Sequence, residues 1–264
     1  MILQACKTSK AGNIKPSNTI YNPYMKKISF IVFFIFLLFV NSPVLSEQYG
    51  VYSPHNYSFQ NNEQERILFI LDLSNSMEES LEGSTKFDLM INTMREILPK
   101  INPNTWVGLR VYGHRMGFTP IEACRASTLV SPITTHNTNN IENALSKTKP
   151  RGMTPITYSL KQAIKYDFMG FSGKKHIILL TDGGENCDES PCKFVMNLIK
   201  IRRDVSIDVI AFNIKDSEDL EQLECTALVT SGKFYNAQTS AELINSFNNS
   251  LDGVKNVEAK ILMP

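Results

Sequence analysis

Residues 67–76 constrain this 264-residue chain more than any other stretch, reading Ile-Leu-Phe-Ile-Leu-Asp-Leu-Ser-Asn-Ser. Five consecutive apolar residues fit a strand buried on both faces, as in a parallel sheet. Where the apolar run gives out, Asp72, Ser74 and Ser76 place three oxygen-bearing side chains at alternate positions. One carboxylate and two hydroxyls, with no soft ligand beside them, suit a hard divalent cation such as Mg²⁺. Open α/β sheets gather ligands at the carboxyl ends of their strands. The stretch predicts a metal site built on the first core strand.

Further along, apolar runs and helical periodicity alternate. Strands are expected at 67–73, 106–112, 127–130, 175–181, 205–212 and 233–236, with Pro132 stopping the third. Helices are expected at 86–98, 141–147, 155–166, 191–203, 217–230 and 240–251. Pro99 ends the first of these, Pro155 suits a first helical position, and Ser217 is a candidate cap for the fifth, with Leu220, Leu223 and Leu228 inward. A tail strand is expected at 257–263. This alternation predicts one α/β domain, a doubly wound Rossmann-like open sheet of about six mostly parallel strands with helices on both faces. The opening pattern recurs at 177–183, an apolar strand running into Thr181-Asp182-Gly183. Between the two lies Pro150-Arg151-Gly152-Met153-Thr154-Pro155, where Gly152 permits unusual backbone dihedrals.

The amino terminus reads as a targeting segment. Residues 1–24 are polar and irregular; Met25-Lys26-Lys27 then opens an apolar run over 28–40, broken only by Ser29. That run falls short of the roughly 20 residues a membrane-spanning helix needs. A basic start and a short apolar run fit a secretory signal peptide over 25–46, with cleavage after Ser46. Met25 is then the expected true start, with 1–24 upstream of it. The alternative is an uncleaved anchor, which would be the chain's one membrane contact. Residues 47–64 read as a linker, which includes an Asn56-Tyr57-Ser58 sequon, 65–253 as the folded domain and 254–264 as a tail. The expected location is exported: periplasmic, cell-envelope or extracellular. With 27 basic and 26 acidic residues scattered along the chain, nothing points to nucleic acid.

Beyond Cys6, four cysteines remain: Cys124, Cys187, Cys192 and Cys225. An even count in an exported domain points to two disulfides among three connectivities. Cys187 with Cys192, enclosing a short loop beside Asp182, is the favoured pair. Cys124 with Cys225 then follows by default, unless both stay free. The spacing is not that of a zinc ribbon.

Asp72-Leu73-Ser74-Asn75-Ser76, Thr154 and Thr181-Asp182-Gly183 together resemble the metal-ion-dependent adhesion site of von Willebrand factor type A domains, which integrin I domains share. The resemblance covers 66–253. It implies a metal held by Asp72, Ser74, Ser76, Thr154 and Asp182. Ser74 and Ser76 would bind through their hydroxyls, Asp72 and Asp182 mainly through water, and Thr154 directly or through water. The implied cofactor is Mg²⁺, or Mn²⁺ or Ca²⁺. The implied partner is a protein offering an acidic side chain to an open coordination position. The resemblance further implies a shift of the last helix on partner binding.

Gly113-His114-Arg115, the stretch 182–187 (Asp-Gly-Gly-Glu-Asn-Cys) and 222–225 (Gln-Leu-Glu-Cys) are similar to exported bacterial members. His114 and Glu185 are expected as a hydrogen-bonding loop residue and a solvated loop acid. The leading expectation is a binding module with no catalytic residues, not an enzyme. The alternatives are a metal-dependent hydrolase and a structural or assembly subunit with a vestigial site. Against an enzyme, no Gly-x-Ser-x-Gly, His-Glu-x-x-His, P-loop or Gly-x-Gly-x-x-Gly sequence is present.

Overall fold

The computed structural model describes residues 65–261, with side chains through 252. The expected upstream segment, signal peptide, linker, sequon and Cys6 lie outside the described residues. Six strands form one sheet: β1 (Arg66–Asp72), β2 (Trp106–Tyr112), β3 (Ser127–Thr134), β4 (Lys175–Thr181), β5 (Val205–Phe212) and β6 (Phe234–Ala237). Their order is β3-β2-β1-β4-β5-β6, parallel throughout except for the antiparallel β2–β3 pair. This is the doubly wound order in which the winding reverses between β1 and β4. The crevice at that reversal opens where Asp72 and Asp182 leave their strands.

Both faces of the sheet are covered, which is why β1 is apolar at every core position. Ile67, Phe69 and Leu71 join one cluster with Met90 and Met94 of α1 (Lys86–Ile97), Ile141 of α2 (Thr138–Leu145) and Phe247 of α6 (Ser240–Ile261). Leu68 and Ile70 face the other way, with Leu160 of α3 (Ile156–Gln162), Val195 of α4 (Pro191–Leu198) and Leu223 of α5 (Ser217–Val229). Fully burying one such side chain stabilises the fold by about 1.5–3 kcal/mol. Among the described residues no helix is long and apolar enough to cross a membrane.

Several expected boundaries move. β3 continues through Pro132 to Thr134, because it is an edge strand and its register shifts against β2, so the missing N–H costs no ladder bond. Helix α4 stops at Leu198 and not near 203; the chain turns there, and Arg202 comes round to pair with Asp204. The cap of α5 is Asp216 and not Ser217: its carboxylate accepts from Glu218 N (2.9 Å) and Asp219 N (3.1 Å). Leu228 on that helix is exposed, not inward. The expected tail strand is absent among the described residues, where α6 runs on to Ile261. After α3 the chain widens into a π-helical turn, Ala163–Asp167, which sets Asp167 against Arg110 of β2 in a buried two-pronged pair, 2.7 Å on each arm.

The cysteines pair as Cys124–Cys187 and Cys192–Cys225, with Cα–Cα distances of 5.5 and 5.4 Å. The expected Cys187–Cys192 pair does not form. Cys192 sits in the first turn of α4, which packs against α5 and its Cys225. Cys187 lies in the preceding loop beside the end of a one-turn helix, Pro120–Ala123, that carries Cys124.

Candidate metal centre

Three loops meet at the β1–β4 reversal. The first continues β1: Leu73 N donates to Tyr112 O (2.8 Å), and Ser74 forms a lone parallel bridge with Gly152. Asn75 N donates to Gly152 O (3.0 Å), and Arg151 N to Leu73 O (3.1 Å). So the Thr154 loop is laid against the exit of β1 as a short extension of the sheet. Two glycines make that approach feasible. Gly113 has a φ of 70°, and a Cβ there would sit 2.6 Å from Ser74 N. A Cβ on Gly152 would sit 2.6 Å from Arg115 O.

Ser74, Ser76 and Asp182 converge. The hydroxyls of Ser74 and Ser76 are 3.0 Å apart; Ser76 Oγ donates to Asp182 Oδ1 at 2.7 Å, and Ser74 Oγ lies 3.5 Å from the same oxygen. Thr154 lines the same cleft, of ≈ 470 Å³, with Ser76, Lys86 and Asp182. Its hydroxyl makes no hydrogen bond among the described residues, while its N–H donates to Asn186 Oδ1 (2.7 Å). Asp72 lies underneath, fully buried. It accepts from Ser74 N (2.7 Å), Tyr112 OH (3.0 Å) and Thr181 Oγ1 (2.8 Å). The five predicted residues are thus brought together: Ser76, Thr154 and Asp182 line the cleft, Ser74 lies just behind Ser76 and Asp182, and Asp72 braces Ser74 from beneath.

Neighbouring oxygens around an octahedral Mg²⁺ with bonds of about 2.1 Å stand about 3.0 Å apart. The Ser74–Ser76 separation matches that edge, and Asp182 Oδ1, 2.7 and 3.5 Å from the two hydroxyls, adds a carboxylate, so the chemistry of the donor set fits a small hard cation. Among the described residues there is no group of three or more His, Cys, Asp or Glu that could hold a metal. The candidate set therefore leans on hydroxyls.

Electrostatics point the same way. Burial, aided by the nearby Asp182 charge, pushes the Asp72 carboxyl up to about 7, against the pull of its hydrogen bonds from Ser74 and Thr181. The Tyr112 hydroxyl is pushed well up by burial and by Asp72. One cation answers the acids: Lys86, almost completely buried at the start of α1, donates to Asp182 Oδ2 (3.0 Å) and Glu79 Oε2 (2.7 Å). Burial alone would lower its ammonium, but Glu79 and Asp182 outweigh that and raise it. The sequence reading passed over Lys86, yet a signal was there. A lysine opening a helix faces the positive end of the helix dipole and calls for a local acid.

Glu185 is no idle solvated acid. Its carboxylate accepts from Thr157 N (2.6 Å) and Cys187 N (3.0 Å), and burial raises its affinity for a proton. With Asn186 it ties the Asp182 loop to the start of α3. His114 behaves as expected of a loop residue, Nε2 lying 3.1 Å from Thr128 Oγ1.

The family model for the von Willebrand factor type A domain matches residues 67–249. YwmC of Bacillus subtilis (strain 168) is 28% identical over 185 residues, 69% of this chain and 80% of that protein. The crystal structure of the conserved hypothetical protein BatB from Bacteroides thetaiotaomicron is similar with a TM-score of 0.57 and 15% identity, covering 73% of this chain and 98% of that one. Proximal thread matrix protein 1 of the mussel byssus, solved with a zinc-occupied MIDAS motif, gives 0.55 and 23%, covering 74% of this chain and 46% of that one. Both structural likenesses speak to the fold, and with the family match over most of the chain they place it: this chain belongs to the von Willebrand factor type A domain family.

Proposed function

We propose that the chain is a divalent-cation-dependent protein-binding module. The observation that carries the reading is the triangle of Ser74 Oγ, Ser76 Oγ and Asp182 Oδ1 at the β1–β4 reversal, with Thr154 beside it. These residues would hold Mg²⁺, Mn²⁺ or Ca²⁺, with Asp72 bracing Ser74 from below. Once bound, the ion would supply an electrophilic position that an acidic side chain of a partner can fill, a charge-assisted contact with strict geometry. The mussel protein's zinc-occupied motif supports a divalent ion in a site on this fold. On this reading the chain recognises a partner and turns over no substrate. Two disulfides among the described residues support folding in an oxidising compartment, in line with the signal peptide proposed over 25–46.

The test is thermal and calorimetric titration with each of the three ions, on wild type and Asp182→Ala. Wild type gains about 2.7 kcal/mol at an ion concentration a hundred times Kd, and Asp182→Ala gains none. A wild-type protein indifferent to all three ions overturns the proposal.

A further inference from the structure

The loop 113–124 leaves β2 beside the candidate metal centre and is fastened to it at both ends. At its start, Gly113 O accepts from Arg151 N (3.0 Å), and Arg115 O packs on Gly152, two residues before Thr154. At its end, Cys124 is bonded to Cys187 in the loop that carries Asp182. In between it is held internally. Thr119 Oγ1 accepts from Glu122 N (3.2 Å), the Glu122 carboxylate accepts from Phe118 N (2.9 Å), and Gly117 packs on Ala123 with no room for a side chain.

This braced loop presents apolar side chains to solvent. Met116, Phe118 and Ile121 are 74%, 103% and 66% exposed, three of the eight exposed large hydrophobics within six residues; the other five are dispersed between 166 and 228. Arg115 on the loop, Arg125 just after it and Arg151, whose N–H meets Gly113 O at its start, are exposed and form no ion pair among the described residues. Apolar anchors with exposed arginines on and beside the same loop have the composition of a protein contact surface. Side chains carried on a braced loop lose less freedom on docking than those on a loose one. Unpaired guanidinium groups select carboxylates.

We propose that loop 113–124 is a preformed contact surface for a second protein. The docking segment of that protein sets carboxylates among large apolar side chains, one carboxylate reaching the metal. The inference rests on the binding-module reading and adds the partner's chemistry to it. A lipid surface, being fluid, gains nothing from side chains held in fixed positions, so a protein is the occupant that the bracing favours.

The test selects displayed random peptides on the purified protein in Mg²⁺, then measures binding of the enriched peptides, and of phosphatidylglycerol vesicles, to three proteins. These are wild type, Asp182→Ala, and the triple variant Met116→Ser/Phe118→Ser/Ile121→Ser, whose thermal midpoint and Mg²⁺ titration stay those of wild type. The expected peptides carry Asp or Glu beside Leu, Ile, Phe or Met; EDTA releases them, and the triple variant binds them about tenfold or more weakly. Peptides released by EDTA but bound equally by the triple variant overturn this inference and leave the metal-dependent reading standing. Peptides that neither EDTA nor Asp182→Ala affects overturn both. No enriched peptide, or vesicle binding lost in the triple variant, overturns the inference, the latter in favour of lipid.

Discussion

Buried charge collects at both ends of the sheet, and the two ends handle it differently. At the amino ends of the strands, Asp208 on β5 accepts from Lys233 N (2.8 Å) and Ser250 Oγ (2.7 Å) and lies 3.3 Å from His176 Nε2. Beside it, Asp204 pairs with both Lys175 and Arg202. Every acid there has donors in hand. At the carboxyl ends, Asp182 shares the Lys86 ammonium with Glu79, while Asp72 accepts only from the neutral donors Ser74 N, Tyr112 OH and Thr181 Oγ1. The acids respond in opposite directions. Burial would raise the Asp208 carboxyl, yet the His176 ring, the Ser250 hydroxyl and the Lys233 amide outweigh it and hold it below the usual carboxylate range. Asp72 is pushed up to about 7. A buried carboxylate closed off by its own donors welds β4, β5 and α6 together. One that meets only neutral donors beside a second acid is instead driven towards its protonated form, and positive charge brought next to it would favour release of that proton.

The largest expected effect comes from breaking the closed end. Asp208→Ala strands the Lys233 amide, the Ser250 hydroxyl and His176, and urea unfolding reads a loss of about 3–5 kcal/mol. The gain of stability on adding Mg²⁺ stays that of wild type. A variant that also loses the Mg²⁺ response would erase the division between the two ends.

Lys86→Met strikes the open end. Without metal, Asp182 loses its buried partner, and stability falls by about 3 kcal/mol in EDTA. In saturating Mg²⁺ the fall is smaller, because the ion replaces the lost positive charge. Equal losses in both buffers would make Lys86 a purely structural residue.

The smallest effect is a slope. Asp72 keeps its proton up to about pH 7 in the folded chain and releases it near pH 4 when unfolded. The folded state therefore binds more protons across that window. Metal-free stability falls as pH rises through it, by up to about 1.4 kcal/mol per pH unit. Asp208 has the opposite sign: its contribution is full above about pH 4 and is lost as pH drops through its depressed value. Asp72→Asn flattens the fall above pH 4 and leaves the acid side unchanged, read from urea midpoints in EDTA. A fall that persists in Asp72→Asn assigns it to another group.

Much of this was legible in the sequence. The inner strands announced themselves because a strand covered on both faces is apolar in long runs, as β1 and the middle of β4 are, while β2 and β5 interrupt theirs with Arg110 and Asp208, each buried against a partner. The convergence of Asp72, Ser74, Ser76, Thr154 and Asp182 was readable because each sits at a strand exit or in a loop whose glycine and proline mark it. Contacts set by packing between distant elements were not. Thr181 and Tyr112 reach Asp72 only because β4 and β2 flank β1 in the sheet. The disulfide pairing follows from α4 lying on α5, a fact that loop length does not carry. Pro132 read as a strand end because nothing local distinguishes an edge strand from a central one. Asp216 and Ser217 are both acceptable caps in isolation, and only the backbone decides between them.

The lone bridge between Ser74 and Gly152 has a consequence for the order in which the cleft is assembled. It pairs the Thr154 loop with the exit of β1 through main-chain bonds, so the two loops are brought together when the chain folds and wait on no guest. The hydroxyls of Ser74, Ser76 and Thr154 still turn about their own side-chain bonds. The strand pairing that closes the core therefore also docks the loops of its rim, and leaves the last adjustment to the side chains.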